Sequence, residues 1–277
     1  MFFLVLAVLS SSLISVIMRL SADKVKGSLS MLAVNYVICM SLSAVYAGFD
    51  VLPVKAEGFS AALGLGVLGG VLFLAAFVLM QRNTMKIGVV LSSLYMKLGL
   101  LVPMVLSVAA FGEMPAAVQI VGFCLAVGAI VLMNAGKGLR GGLQADLLLL
   151  LLVGGGADAM AKLYEEFGPA ALNGQYLFYV FAVALVLCGA LVMVKKEKPG
   201  KNELLYGAMI GVPNFFSSRF LLGALGEIPA VVVYPTFSVA TILLVTLTGV
   251  MVFKEKLKTK QWIALGIILM ALVLLNI

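Results

Sequence analysis

Three ionisable residues lie deep inside long apolar stretches of this sequence, namely Lys97, Asp158 and Arg219. A charge in hydrocarbon is costly unless it has a partner or reaches water, so such residues often mark a solute or ion pathway. Asp158 could neutralise one of the two cations, and the other cation would then attract a carboxylate or a phosphate. We therefore predict that Lys97 and Arg219 bind a solute and that Asp158 exchanges a proton. A structural ion network is the alternative interpretation for all three residues.

Neutral polar and aromatic residues in neighbouring stretches complete this candidate site. The predicted solute-binding residues of this kind are Asn214, Tyr95, Phe237 and Tyr234. Together with residues 215–218 they could line a pocket that holds a small organic solute. Packing between helices is an equally good interpretation of the aromatic residues. Asn35 and Gln175 are expected to hydrogen-bond between helices, and Arg19 and Lys162 to reach the membrane interface from helix ends.

Several other kinds of chemistry find no support in the sequence. The chain contains no histidine, and its three cysteines lie in different apolar stretches without a close partner, so we predict no metal site and no cofactor. Gly64, Gly66 and Gly69 spell a dinucleotide-binding pattern, but they lie inside an apolar stretch and are expected to serve helix packing. Gly154–Gly156, just before Asp158, indicate either a kinked segment or close packing. An intramembrane enzyme or a non-transporting scaffold is the least favoured class.

The elements that position these residues are membrane helices. The chain has 277 residues, of which 63% are hydrophobic and 11% charged. Ten apolar stretches are long enough, or nearly so, to cross a bilayer. They cover residues 2–20, 29–47, 59–80, 87–111, 116–134, 145–163, 173–194, 203–225, 229–253 and 260–276. The first stretch has no basic segment before it, so we expect a retained helix rather than a signal peptide.

The sequence repeats itself at a distance of 142 residues. In this register, residues 111–134 align without a gap on residues 253–276, with Glu113 on Glu255 and Gln119 on Gln261. We predict an all-α membrane domain of two five-helix repeats, residues 1–138 and 139–277. Because five is odd, the second repeat must enter the membrane upside down relative to the first, which is typical of transporters.

The loop charges agree with this inversion. Fifteen Lys and Arg residues lie in the five loops that follow stretches 1, 3, 5, 7 and 9, including Lys137 and Arg140, whereas the alternate loops contain only Lys55 and Lys162. A loop that is rich in Lys and Arg in one repeat therefore corresponds to a loop that is poor in them in the other repeat. By the positive-inside rule, the basic loops face the cytoplasm and both termini lie outside. The net charge of +7 thus indicates a lipid bilayer partner, and no nucleic acid.

Each repeat ends in a long apolar stretch followed by Phe-x-Glu, at Phe111–Glu113 and Phe253–Glu255, and then by a tight turn and a final helix rich in Gly, Ala and Leu. These features resemble the drug/metabolite transporter superfamily, in its ten-helix, EamA-type branch. The resemblance implies a secondary transporter, usually an exporter of amino acids, metabolites or organic ions, with a cavity between the two halves. Members of the family are usually drawn with cytoplasmic termini, and we follow the loop charges instead.

From these observations we expect alternating-access transport of a small polar, zwitterionic or anionic solute across the cytoplasmic membrane, with protons as a possible coupling ion. The protein is expected to be a monomer or a weak homodimer. The alternative is an exporter of organic cations, drugs or guanidinium-like ions, with Asp158 as the exchanged carboxylate. The two glutamates of the Phe-x-Glu segments are predicted to shape the turn or to cap the helix that follows.

Overall fold

The computed structural model describes residues 1–103, 105–106, 116–134, 141–228 and 230–274. These residues form helices, turns and irregular segments, and no strand occurs among them. The helices are α1 (Phe2–Ser21), α2 (Ser28–Tyr46), α3 (Phe59–Ile87), α4 (Val89–Leu98), α5 (Ala117–Asn134), α6 (Gly141–Phe167), α7 (Asn173–Lys195), α8 (Lys201–Leu225), α9 (Ala230–Met251) and α10 (Thr259–Leu274). A short 3-10 helix, Ala170–Leu172, precedes α7.

Seven helices of the described ranges are long and apolar enough to cross a membrane, and they lie within α1, α2, α3, α6, α7, α8 and α9. Helices α4, α5 and α10 are apolar but contain shorter apolar segments. A turn at Gly99 and Leu100 interrupts the fourth predicted stretch, and helical structure resumes at Leu101. The all-α membrane architecture is thereby confirmed, and the count of ten spans stays a prediction. The predicted boundary between the repeats, near residue 138, lies outside the described residues.

The helices pack mainly across the two halves of the chain rather than within each half. Helix α2 packs against α7 and α8, α3 against α6 and α7, α1 against α8 and α9, α4 against α6 and α9, and α5 against α10. Exchanging each helix for the helix five places away converts this set of contacts into itself. Such a pattern is what two structurally equivalent halves would produce.

Glycines bring the backbones of crossing helices close together. A side-chain carbon on Gly207 would lie 2.5 Å from the carbonyl oxygen of Met31, and one on Gly211 would lie 2.9 Å from that of Asn35. In the equivalent pair of helices, a carbon on Gly70 would lie 2.5 Å from the carbonyl oxygen of Val180. Small residues at these crossings permit the close packing on which helix association in lipid depends.

The basic loops meet at one end of the bundle. Glu203, at the start of α8, accepts hydrogen bonds from the backbone N–H groups of Lys26 and Gly27 at 2.9 and 3.1 Å. Asp146 binds Lys86 and Arg82 at 3.1 and 3.2 Å. The first contact joins the loop after α1 to the start of α8, and the second joins the end of α3 to the beginning of α6. They agree with the prediction that the basic loops face the same side, while Lys137 and Arg140 lie outside the described residues.

Glu255 does not cap the following helix, which is one of the two roles that the sequence predicts for it. Its carboxylate accepts hydrogen bonds from the backbone N–H groups of Val89 and Val90, at 2.8 and 3.2 Å, and so caps α4 in the other half of the chain. It also pairs with Arg19 at 3.4 Å. The start of α10 is closed by Gln261, whose side-chain oxygen accepts the N–H of Lys258 at 2.7 Å. Glu113 lies outside the described residues.

The reason for this difference is that a glutamine can cap locally and leave the glutamate free to act at a distance. Gln119, the repeat equivalent of Gln261, makes the same local contact: its side-chain oxygen accepts the N–H of Ala116 at 3.0 Å at the start of α5. The two matched glutamines thus satisfy backbone donors that a helix terminus leaves unpaired.

Candidate functional site

A cavity of about 80 Å³ lies between the two halves of the chain, bordered by α1, α3 and α4 from the first half and by α6, α8 and α9 from the second. We call it the central cavity. Its polar lining consists of Ser11, Ser15, Ser93, Lys97, Asp158, Asn214, Ser217 and Ser218. Its apolar lining consists of Ile14, Met18, Phe73, Phe77, Met80, Met96, Leu221 and Phe237. Polar groups that converge on an apolar concave surface are typical of a small-molecule site.

Lys97 lies near the end of α4 and is half-buried. Its ammonium nitrogen lies 3.8 Å from the centroid of the Phe237 ring, within the range of a cation–π contact. Its carbonyl oxygen accepts a hydrogen bond from the Ser238 hydroxyl at 3.4 Å. Helix α9 therefore supports both the charge and the backbone of this lysine.

Asp158 lies on α6, opposite Lys97, and is also half-buried. The Tyr234 hydroxyl donates a hydrogen bond to the Asp158 carbonyl oxygen at 3.1 Å, which attaches α6 to α9 at this level. Within the described residues, Lys97 and Asp158 line the same cavity without forming an ion pair with each other. Both charges are therefore available to a solute that lies between them.

Close approach of α4 and α6 places this pair. A side-chain carbon on Gly99 would lie 2.6 Å from the Gly155 nitrogen, and one on Gly155 would overlap the Gly99 carbonyl oxygen. Gly99 follows Lys97 by two residues and Gly155 precedes Asp158 by three. Helix α6 continues without a break through Gly154–Gly156, so this segment is not unwound, and Gly155 serves close packing against Gly99.

Asn214 takes part in the site through a pair of buried amides. Its side-chain N–H donates to the Asn35 side-chain oxygen at 3.0 Å. Asn35 is fully buried and the thiol of Cys39 lies 3.6 Å from the same oxygen. The prediction that Asn35 bonds across helices is confirmed, because this contact joins α2 to α8. Gln175 instead donates to the Asp50 carbonyl oxygen, at 2.8 Å, in the loop after α2.

Of the residues predicted from sequence, Lys97, Asp158, Asn214 and Phe237 line the central cavity, and three others do not. The Arg219 guanidinium lies 4.3 Å from the centroid of the Tyr46 ring, away from Lys97 and Asp158. Tyr95 is fully buried in a cluster of apolar side chains from α4, α5, α6, α9 and α10. Tyr234 contacts the backbone of Asp158 rather than the cavity. Solute binding by these three residues stays a prediction without support from this cavity.

Sequence reasoning missed part of the lining. The Ser93 hydroxyl donates to that of Ser15 at 3.1 Å and joins α4 to α1. Phe73 and Phe77 stack with ring centroids 5.0 Å apart. With Met80 they recur at four- and three-residue intervals on α3, which places them on one face of that helix. That spacing was visible in the sequence, but an apolar face pointing into a cavity has the same pattern as one pointing into a core.

The two cations that were predicted to reach the membrane interface form ion pairs with nearby acids. Lys162 pairs with Glu165 at 2.8 Å and with Glu166 at 3.0 Å on its own helix. Arg19 pairs with Asp23 at 3.2 Å, besides its contact with Glu255. These pairs place both cations outside the lining of the central cavity, and their position at the membrane interface stays a prediction.

A second cavity of about 60 Å³ adjoins the first. The two cavities share Phe73, Asp158, Ser218 and Leu221. The rest of the second lining is contributed by Gly69, Ala157, Ala161, Tyr176, Leu177, Val180 and Leu222. Asp158 therefore lies on the boundary between a polar space and an apolar one.

Apolar helices of membrane-spanning length, packed across two halves around a cavity lined by both a lysine and an aspartate, are typical of an integral membrane transport protein. Residues 142–277, just under half of the chain, match the model of the EamA-like transporter family, which places the chain in the drug/metabolite transporter superfamily. The resemblance noted from the Phe-x-Glu segments and the repeat is thus confirmed, and the protein is a membrane transporter of this type.

Two further similarities cover nearly the whole chain. An uncharacterized protein of Haemophilus influenzae (strain ATCC 51907 / DSM 11121 / KW20 / Rd) is 25% identical over 279 residues, which cover 96% of this chain and 93% of that protein. A crystal structure of another protein superposes with a TM-score of 0.65 at 15% identity and covers 99% of this chain and 94% of the other. At this identity, the second similarity shows a common fold.

Proposed function

We propose that the protein is a secondary transporter that exports a small polar metabolite, either an amino acid or an organic acid, by alternating access. The observation that carries this proposal is the presence of Lys97 and Asp158 in one cavity without an ion pair between them. A zwitterion between the two side chains would direct its carboxylate to Lys97 and its ammonium to Asp158. An organic anion would use Lys97 and the hydroxyl groups of the lining.

The proposed architecture is ten spans in two inverted five-helix repeats, residues 1–138 and 139–277, in the cytoplasmic membrane. It is supported by the 142-residue register and by helix contacts that persist when the two halves are exchanged. The cavity is bordered by three helices from each half, so rocking of the halves would expose it to one side and then to the other. The basic loops joined at one end support a cytoplasmic position for that end and external termini.

Asp158 is the proposed site of proton exchange. Among the described residues that line the central cavity it is the only acid, and its carboxylate makes no contact with a fixed cation. A carboxylate that borders the solute site can bind a proton or a positively charged group of the solute, and binding of one weakens the affinity for the other. Competition of this kind would couple solute movement to a proton gradient.

The test is uptake of solutes and electrical current in proteoliposomes with an imposed pH gradient, with pools of amino acids, organic acids and organic cations. We expect uptake from one of the first two pools that depends on the gradient in the wild type. In Asp158→Asn, dependence on the gradient should be lost. Gradient-dependent uptake that survives this change would contradict proton exchange at Asp158, and no uptake from any pool would contradict the transport proposal.

The alternative function, export of organic cations, is favoured by one observation. The unpaired carboxylate of Asp158 shares the cavity with the rings of Phe73, Phe77 and Phe237, and aromatic faces attract cations. The two proposals predict opposite orders for the loss of solute affinity in Lys97→Met and Asp158→Asn, measured in the same assay. A zwitterion or anion carrier should lose more affinity for its solute in Lys97→Met, whereas a cation carrier should lose more in Asp158→Asn.

A further inference from the structure

The second cavity differs from the central cavity in the chemistry of its walls. Apart from Asp158, the Ser218 hydroxyl and the Tyr176 ring, its lining is aliphatic or aromatic carbon or glycine. Tyr176 is 3% exposed and stacks on Tyr164 with ring centroids 4.0 Å apart and an interplanar angle of 6°. The stacked pair leaves little freedom for the Tyr176 ring, so this wall of the cavity is fixed in place.

The dimensions of the second cavity set what can occupy it. A space of about 60 Å³ is larger than a single water molecule requires, and its mainly apolar lining favours an apolar group. It is smaller than the cavity of about 150 Å³ that accepts benzene in a protein core. A compact aliphatic group therefore fits the space better than an aromatic ring.

Asp158 fixes the direction from which such a group would enter. Asp158 lines both cavities, so a solute whose charged head is held by Lys97 and Asp158 has its nearest substituent close to the second cavity. The substituent then moves from water into an apolar lining. Each methylene group buried in this way should increase the affinity about fourfold.

We propose that the second cavity is a subsite for the side group of the solute, so that the protein selects solutes with a charged head and a short branched aliphatic group. This inference rests on the proposed function and adds the solute class. Ala157 and Ala161 lie one helical turn apart on α6, on the same face, and keep the subsite open. Their equivalents in the first half are the larger residues Ser15 and Arg19, so the subsite belongs to one half.

The experiment measures initial uptake rates in proteoliposomes for two series of probes, α-amino acids and α-hydroxy acids. Each series carries hydrogen, methyl, isopropyl, isobutyl or benzyl as the side group. In one of the series, we expect the wild type to favour isopropyl and isobutyl over hydrogen and over benzyl by at least about tenfold in kcat/KM.

Two variants change the subsite in opposite directions. Ala161→Leu should fill it and remove the preference for isobutyl while uptake of the methyl probe continues. Leu222→Ala should enlarge it and admit the benzyl probe. Ala190→Leu, on an exposed face of α7, is the matched control for the first variant and should keep the wild-type order.

The outcomes separate this inference from the function on which it rests. Uptake of probes by the wild type, with the same order of side groups in both variants, would overturn the subsite and leave the transport proposal intact. Loss of the response to the pH gradient in Ala161→Leu, with side-group preference unchanged, would also overturn it and would make the cavity a water path to Asp158. Failure of the wild type to transport any organic solute would contradict both proposals.

Discussion

Two equivalent helix pairs border the central cavity, and they differ in the charged residues that they contribute and in how closely their backbones pack. In the 142-residue register, the pair α4–α6 corresponds to the pair α9–α1. Lys97 and Asp158 on α4 and α6 correspond to Val239 and Val16. We call each of these helix pairs a corner of the cavity. Both charges among the described lining residues belong to the α4–α6 corner, and the α9–α1 corner contributes serines and the Phe237 ring.

The two corners also pack differently. Gly155 contacts Gly99 backbone to backbone, whereas its equivalent, Leu13, is 48% exposed. Helices α1 and α9 instead meet through side chains such as Leu4, Val8 and Tyr234. Both halves of a duplicated scaffold thus contribute a helix pair to the wall of the cavity. Only the α4–α6 pair has the close backbone contact that brings two charges together. The following substitutions either give the α4–α6 corner a residue type found in the α9–α1 corner or remove a contact that stabilises the α4–α6 corner.

Asp158→Val, which copies Val16, should have the largest effect. The Lys97 ammonium, which forms no ion pair with Asp158, would lose the attraction of the only acid among the described residues of its cavity, and a solute would lose the second charge that the site offers. We expect uptake at least about 100-fold slower and a lower unfolding temperature in detergent. Val16→Ala is the control, because it changes only the apolar equivalent, and a comparable loss there would show that the two corners are not functionally distinct.

Gly155→Ala should come next, since the added methyl group overlaps the Gly99 carbonyl oxygen and overpacking costs about 1–3 kcal/mol. The adjacent Gly154 is a matched control, because a carbon there would lie 3.5 Å from Met96, an ordinary contact. Thermal unfolding and uptake should be impaired in Gly155→Ala and nearly normal in Gly154→Ala. Equal effects at the two positions would refute the role of the backbone contact.

Glu255→Gln should have a smaller effect, because it weakens the cap on α4 and the ion pair with Arg19 while keeping the shape of the side chain. Loss of a helix cap costs about 0.5–2 kcal/mol. Hydrogen exchange at the backbone amides of Val89 and Val90 should accelerate. Asp23→Asn removes the other partner of Arg19 and should leave this exchange unchanged; acceleration there would assign the effect to Arg19 instead.

Phe237→Leu should have the smallest effect. It removes the ring beneath the Lys97 ammonium, a contact of about 0.5–2 kcal/mol. The apparent affinity for the transported solute should change by roughly 2- to 30-fold, and Phe237→Tyr, which keeps a ring, should stay close to the wild type. An unchanged affinity in Phe237→Leu would mean that the lysine is positioned by α4 alone.

Much of this arrangement was predictable from the sequence. Apolar length indicated the helices, the register at 142 residues indicated two related halves, and the rarity of charge in hydrocarbon indicated Lys97 and Asp158. Local signals of this kind depend on a residue and its neighbours in the chain. They also anticipated close packing at Gly66 and Gly69, where an added carbon would lie 2.7 Å from Tyr179 and 3.3 Å from Val180, but Gly64 has no neighbour within 4 Å.

The rest depends on helix rotation, which the sequence did not determine. Arg219 and Lys97 both lie deep in apolar stretches, and depth alone did not reveal that Arg219 contacts Tyr46, away from the cavity. Glu255 was expected to shape its own turn or to cap the following helix, because a turn glutamate and a nearby helix start are adjacent in sequence. Its partner is 166 positions away, and only the packing of α9 beside α4 brings them together.

That separation has a consequence for the time course of biosynthesis. Helix α4 is among the first to leave the ribosome, but the carboxylate that closes its beginning is added 166 residues later. At about 5–20 residues per second, the gap amounts to roughly 10–30 s. During that interval the nascent protein holds Lys97 on a helix whose first amides have no cap from Glu255. The segment from Phe253 onward therefore completes the solute site from the far end of the chain, and a polypeptide truncated before it would reach the membrane with its charged corner unfinished.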